Sequence, residues 1–239
     1  MTTLIRGELI KAITTRTIFA YAAMAVVLAV GQVLASLLPG WGDLMSQDDK
    51  KEALGGLPLL VLLLAIVGAA GEYRHRTAAP AALVAGRDAG RLLVARAGAY
   101  AVAGAAVAAL ATVITLAVGL PLLADRPGPA VSAGDVALIA GGSLVAAALS
   151  AVFGVALGAL VRNQVAAVTG TLVVIFVVLP LVQALSGTIL DVTPFGAAQG
   201  VAGAGLTTLS TGAAAVVLVG WTLVALVAAV VGERRRDIA

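Results

Sequence analysis

The sequence predicts an all-α integral membrane protein with six transmembrane helices. Its 239 residues are 61% hydrophobic and only 11% charged, and their mean hydropathy is +1.10. A soluble domain carries about 25% charged residues, so this chain has too few charges to cover a surface that faces water. Disorder is excluded because disordered chains combine low hydrophobicity with high charge.

Six apolar stretches are each long enough to cross a bilayer, for which a helix needs about 20 mainly apolar residues. The predicted spans are residues 18–38, 54–71, 97–123, 136–161, 165–186 and 212–231, which together form a transmembrane domain over 18–232. Only Arg162, Asn163 and Gln164 separate the fourth span from the fifth. A tight turn is therefore expected there.

Three segments outside the spans have patterns of their own. Residues 1–17 combine apolar side chains at helical spacing with basic ones, which predicts an amphipathic interfacial helix on the cytoplasmic leaflet; the alternative is the polar start of the first span. Residues 233–239 form a basic tail. The glycine-rich segment 187–211 has low polarity, and whether it re-enters the bilayer stays open.

The basic residues indicate the orientation of the chain. Twelve Lys and Arg residues flank the spans on one side, and only Lys50, Lys51 and Arg126 lie on the other. Cytoplasmic loops carry the excess of Lys and Arg, so both termini are predicted to be cytoplasmic. The preference for Arg over Lys, with many Ala, Gly and Val, is typical of a GC-rich bacterial genome and indicates the bacterial cytoplasmic membrane.

The residues that membrane enzymes use are missing from the expected places. The one histidine, His75, lies in a predicted cytoplasmic loop, where it cannot act as a base for Ser143 or Ser150 in the fourth span. No H-E-x-x-H motif, no acid cluster for magnesium and no cysteine occurs. We therefore expect a non-catalytic chain without cofactor or metal.

Polar groups within the predicted spans are neutral, which disfavours a proton relay because a relay needs titratable groups. Sodium coupling through backbone carbonyls remains open, since broken helices expose such oxygens and Pro180 is a candidate break. Ser and Thr in a span more often bond to a neighbouring helix or to their own backbone. The candidates to line a transport pathway are Gln32, Thr115, Ser143 and Gln183.

The longest predicted cytoplasmic segment, residues 72–96, follows the second span. Arg87 and Arg91 lie one helical turn apart in it. Composition alone is equally compatible with a loop whose arginines snorkel at the membrane surface. The chain also lacks the G-x-x-x-x-G-K-[ST] motif that cradles nucleotide phosphates, so ATP-driven work would need another chain.

Glu72, Arg74 and Thr77, placed after the second of six spans, make the chain resemble the permease subunits of type-2 ATP-binding-cassette (ABC) transporters. It departs from the family at Arg76, where Gly is common, and at Gly86, where Pro is frequent. The resemblance implies that segment 72–96 holds a coupling helix seated in a cleft of a separate ATPase. The coupling residues it implies are Glu72, Arg74, Arg76, Thr77, Arg87 and Arg91.

The resemblance also implies that two permease chains, identical or related, form the pathway and that transport is export. Neutral spans rich in small side chains favour a hydrophobic or amphipathic cargo. The predicted function is therefore the permease subunit of an ATP-driven exporter, with the lipid bilayer, two ATPase copies and a second permease chain as partners. The alternative is an ATP-independent membrane protein, either a sodium-coupled carrier or an assembly or sensor subunit. Nucleic acid is not expected as a partner, because the basic residues form no face interleaved with aromatics.

Overall fold

A computed structural model describes residues 2–38, 44–74, 89–185, 188–203 and 208–236. All regular structure in these ranges is helical, which confirms the predicted all-α class. The helices are α1 (Thr2–Thr14), α2 (Arg16–Ser36), α3 (Gln47–Leu54), α4 (Pro58–Arg74), α5 (Ala89–Ala124), α6 (Ala133–Val161), α7 (Gln164–Val173), α8 (Leu179–Leu185), α9 (Pro194–Val201) and α10 (Thr211–Arg236). A π-helical turn, Val174–Val178, joins α7 to α8, and a 3-10 turn covers Leu190–Val192.

Six helical segments are long and apolar enough to cross a membrane, as predicted, and the chain is a multi-pass membrane protein. The first to sixth spans are Arg16–Ser36, Gln47–Arg74, Ala89–Ala124, Ala133–Val161, Gln164–Ala184 and Thr211–Arg235. The third is longer than expected: α5 has 36 residues and begins at Ala89. Arg91 and Arg96 therefore belong to this helix and not to a loop. Residues 75–88, between the second and third spans, lie outside the described ranges.

The second and fourth spans form the centre of the bundle, with 72% and 50% of their apolar windows buried, against 17% for the fifth. Two glycines of α6 bring the backbones of these central spans together. A Cβ atom at Gly154 would lie 2.6 Å from the Leu62 carbonyl oxygen, and one at Gly158 would lie 2.9 Å from the Cβ of Ala69. Small residues permit this closeness between membrane helices. Gly154 and Gly158 form a G-x-x-x-G pair, and this pair packs against α4 of the same chain.

The turn between the fourth and fifth spans is as tight as the sequence predicts. Arg162 ends α6 in the left-handed conformation, with φ 55°, and its N–H donates to the Gly158 carbonyl. This is an αL cap formed without glycine. Asn163 then caps α7, because its side-chain oxygen accepts from the Ala166 N–H at 3.1 Å.

The fifth span changes its helical winding just before Pro180, the predicted break. Proline has no N–H to donate, and its ring clashes with the carbonyl four residues earlier. The helix adopts π geometry here, and the Leu179 N–H donates to the carbonyl of Val174, five residues back. Single π turns of this kind interrupt α-helices without ending them.

One end of the bundle carries α3 and residues 125–132; we call it the opposite end, because most of the basic residues lie at the other. Polar contacts hold its loops in place. Lys50 is 2% exposed, and its ammonium donates to the Arg126 carbonyl at 3.0 Å. Lys51 forms an ion pair of 3.1 Å with Asp135, which itself caps the start of α6 together with Ser132. Helix α3 is thereby fixed over the bundle.

The described part of segment 187–211 folds back onto the spans. Helix α9 begins with Thr193 as its cap and Pro194 at its first position, as expected for a helix start. It packs against α6 and α10, and Ala197 and Ala198 are buried in a cluster with Leu218.

Candidate functional site

Helix α1 lies along the start of α5 at the basic end, defined as the end of the bundle opposite to α3. Glu8 and Ala12 are buried on its inner face, and Leu9 packs against the main core. The helix is present where the sequence predicts one, and one face of it packs on protein. Its exposed side chains include Arg6, Ile10 and Ile13.

A buried arginine joins α1, α4 and α5. Arg96 is 2% exposed; its Nε donates to Glu8 Oε2 at 3.0 Å, and its Nη2 donates to Glu72 Oε2. The second oxygen of Glu72, Oε1, accepts from the Lys11 ammonium. Two acids and two bases thus balance each other, as buried charges require. We call Glu8, Lys11, Glu72 and Arg96 the Arg96 cluster.

Lys11 is the most exposed member of this cluster, with 46% of its side chain accessible. Partial burial lowers the pKa of Lys11, the Glu8 carboxylate raises it and the Arg96 charge lowers it. Loss of water around the ammonium is the larger effect, so the pKa of Lys11 lies below its usual value, and the Glu8 carboxylate opposes this shift. The exposed edge of the Arg96 cluster lies on α1.

A second group of polar contacts adjoins the Arg96 cluster. Tyr73 donates its hydroxyl to Glu233 Oε1 at 2.5 Å, and Arg162 Nη2 donates to Glu233 Oε2 at 2.7 Å. The Arg162 guanidinium also lies 5.0 Å from the centre of the Tyr73 ring, within the range of a cation–π interaction. Since Tyr73 follows Glu72 directly, the end of α4 is tied to α1, α5, the α6–α7 turn and α10.

The structure separates the predicted coupling residues into three groups. Glu72 is 6% exposed and pairs within the chain, with Lys11 and Arg96. Arg74 and Arg91 are exposed on the last turn of α4 and the first turn of α5. The remaining three lie outside the described residues: Arg76, Thr77 and Arg87.

Sequence reasoning missed the partners of Glu72 and Tyr73. The available signal was charge: Glu8 and Glu233 are isolated acids on the side that carries the basic excess. An acid in such surroundings is expected to pair with a base. The identity of that base depends on how α1, α4 and α5 pack, and no local pattern shows it.

Of the four pathway candidates, the structure brings Thr115 and Ser143 together. Both line a cavity of about 20 Å³ beside the helix break at Gly55 and Gly56. Thr115 donates to the Ala111 carbonyl of its own helix at 2.8 Å. Ser143 Oγ, on a residue 3% exposed, has no hydrogen-bond partner among the described residues.

The two glutamines lie elsewhere. Gln32 Nε2 donates to the Glu52 carbonyl at 2.8 Å and so connects α2 to α3. Gln183 is exposed on α8. Neither of them lines the small cavity. The four candidates therefore do not form a single polar path within the described part of one chain.

Within the described ranges, no group of three or more His, Cys, Asp or Glu side chains could hold a metal ion. No protein-family model matches this chain, and no curated protein matches it. The fold and the site define the class: an all-α, multi-pass membrane protein. Ion pairs join the segments of its basic end.

Proposed function

We propose that the chain is the membrane-spanning permease subunit of an ATP-driven ABC exporter. A separate ATPase, in two copies, hydrolyses ATP and acts on segment 72–96, and a second permease chain completes the pathway. The cargo is hydrophobic or amphipathic. The chain itself catalyses no reaction, and it lies in the bacterial cytoplasmic membrane with both termini inside.

One observation carries this proposal: Glu72 and Arg96, at the two limits of segment 72–96, are bonded to each other. The end of the second span is therefore joined to the third span about two turns after that span begins. A push on residues 75–88 would then move both spans together as a rigid pair. Interfaces and packed cores respond to such a displacement by switching between discrete arrangements.

The charge around this segment supports contact with a separate protein. Arg74 and Arg91 are exposed near the two ends of residues 75–88. Two further arginines, Arg76 and Arg87, lie within those residues. A basic surface of this kind is complementary to an acidic cleft, and such complementarity fixes the register of docking.

Copurification tests the proposal. Affinity-tagged chain, extracted mildly from its native membrane, is expected to bring down an ATPase that carries a G-x-x-x-x-G-K-[ST] motif. Arg74→Glu should reduce the recovered ATPase, because it places an acid at the basic docking surface. Asp48→Lys is the matched control, since its exposed side chain lies on α3 at the opposite end. Recovery of the chain without any such ATPase would overturn the proposal.

A sodium-coupled carrier is the second candidate, because the helical winding is interrupted between α3 and α4. The break at Gly55 and Gly56 opens onto the cavity that holds Thr115 and Ser143, and carriers bind sodium with the carbonyl oxygens of broken helices. Cargo movement in vesicles driven by a sodium gradient without ATP would favour this candidate. Movement that needs ATP and ignores sodium would exclude it.

A further inference from the structure

A large apolar cavity lies between the fifth span and the rest of the bundle. Its volume is about 460 Å³. The wall opposite the fifth span comes from α4, α6, α9 and α10, represented by Leu62, Phe153, Phe195 and Trp221. The cavity is separate from the Arg96 cluster and from the small cavity at Ser143.

The hydroxyl groups of two threonines that line the cavity already have partners. Thr171 donates to the Ala167 carbonyl at 2.8 Å, and Thr193 donates to the Leu190 carbonyl at 2.7 Å. The Trp221 indole likewise donates to the Val192 carbonyl at 2.8 Å. An occupant therefore finds hydrocarbon surface and few groups to bind a charge, which favours an apolar molecule.

The size of the cavity matches one hydrocarbon chain. A cavity of about 150 Å³ lined by apolar side chains holds benzene, which has six carbons. A volume of about 460 Å³ is roughly three times larger and corresponds to about 18 carbons on that scale. A long fatty acyl chain has about this number of carbons.

The fifth span leaves room for such a chain because the residues near its start that line the cavity are small: Ala166, Ala167 and Gly170. Ala167, Ile175 and Leu179 are its buried hydrophobic residues. Ala166 and Gly170 border the cavity although they are exposed, so the cavity opens sideways beside this helix. A side opening between membrane-spanning helices faces the hydrocarbon of the bilayer.

We propose that this cavity holds one acyl chain of a bilayer phospholipid, inserted between the fifth span and α4, α6 and α10. The lipid is the occupant favoured by the side opening, since acyl chains fill the hydrocarbon layer. The inference stands without the proposed transport function. It means that a lipid chain, and not direct packing of side chains, fills the space between the fifth span and the rest of the bundle.

Photo-crosslinking tests the inference. The purified chain is placed in nanodiscs made only of phosphatidylcholine with a diazirine in the middle of one acyl chain, and adducts are mapped by mass spectrometry. Adducts are expected on Leu62 and Ile175, which are each 7% exposed and line the cavity. Phe176, 65% exposed on the same span, reports contact with the surrounding lipid.

A filling variant supplies the decisive comparison. A Cβ atom at Gly170 meets nothing within 4 Å and Gly170 borders the cavity, so Gly170→Phe should fold and should place its ring at the side opening. It should lower the adducts on Leu62 severalfold, because the ring obstructs the side opening through which the acyl chain enters the cavity. Thr169→Phe, at an exposed neighbour that does not line the cavity, should leave them unchanged.

Three results would overturn the inference. They are adducts on Phe176 but not on Leu62 or Ile175, equal adducts in the Gly170→Phe variant and the unaltered chain, and crosslinks from this face to a second copy of the chain. Because only the lipid is offered in the nanodisc, labelling by an unknown cargo does not enter the result. Failure here would leave the copurification experiment unaffected.

Discussion

Arg96 shows how a single residue can organise one end of this protein. Its guanidinium is buried and bonds to acids from two different helices, Glu8 and Glu72. Arginine suits this position because its planar fork offers several donors and keeps its charge when buried. Removal of one member of a buried pair leaves an uncompensated charge, which costs far more than the pair itself contributes.

Arg96→Ala should lower the free energy of unfolding by about 3 kcal/mol, because Glu8 and Glu72 then lose their shared base. Arg6→Ala, at an exposed position on α1, should change it by less than about 0.5 kcal/mol. Thermal unfolding of both variants in the same detergent gives the comparison. Equal stability of the two variants would contradict the buried cluster.

The same cluster changes what a substitution at Glu72 can reveal. In an exposed loop, Glu72→Ala would affect only the contact with a partner. Here it also removes the acid that Lys11 and Arg96 share, so lost stability and lost coupling would be mixed. Exposed Arg74 is the cleaner position for tests of docking.

At the scale of elements, hydropathy predicted the number and approximate position of the spans. It missed two helical segments, because both contain charged residues. Helix α3 was expected to be part of an outer loop, because it carries five charged residues; its buried Lys50 is accommodated by a carbonyl contact. The start of α5 was expected in the coupling segment, because Arg91 and Arg96 read as loop charges. In both cases tertiary partners stabilise residues that composition assigns to water.

The contact between α4 and α6 leads to an element-scale prediction. Gly154→Leu should destabilise the bundle by about 2 kcal/mol or more, because even the Cβ would press on the Leu62 carbonyl. Gly141→Leu is the control on the same helix, since a Cβ there meets nothing within 4 Å. Thermal unfolding midpoints should fall for the first variant only. Equal midpoints would show that the two helices do not pack as described.

At the scale of the whole molecule, the basic end and the opposite end differ in charge, and this difference is the basis on which cytoplasmic termini are predicted. The pairs that join the basic end are Lys11–Glu72, Arg96–Glu8, Arg96–Glu72 and Arg162–Glu233. The sequence could place these charges on one side, because loops alternate between the two sides of the membrane. It could not pair them, since pairing depends on which helices become neighbours.

Labelling of single cysteines tests the orientation, and the chain has no cysteine of its own. In sealed right-side-out vesicles, an impermeant maleimide should react with Asp48→Cys, whose native side chain is 92% exposed. His75→Cys should react only after permeabilisation, because the positive-inside rule places it in the cytoplasm. The reverse pattern would invert the topology and place segment 72–96 on the wrong side for an ATPase.

The central claim is that a separate ATPase acts on segment 72–96, and crosslinking from Arg87 in the native membrane tests it most directly. A photoactivatable amino acid at position 87 is compared with the same group at Asp48, at the opposite end. We predict that position 87 captures a protein with a nucleotide-binding G-x-x-x-x-G-K-[ST] motif and that position 48 does not. Capture of no such ATPase at position 87, in a chain that is inserted and folded, would contradict the account.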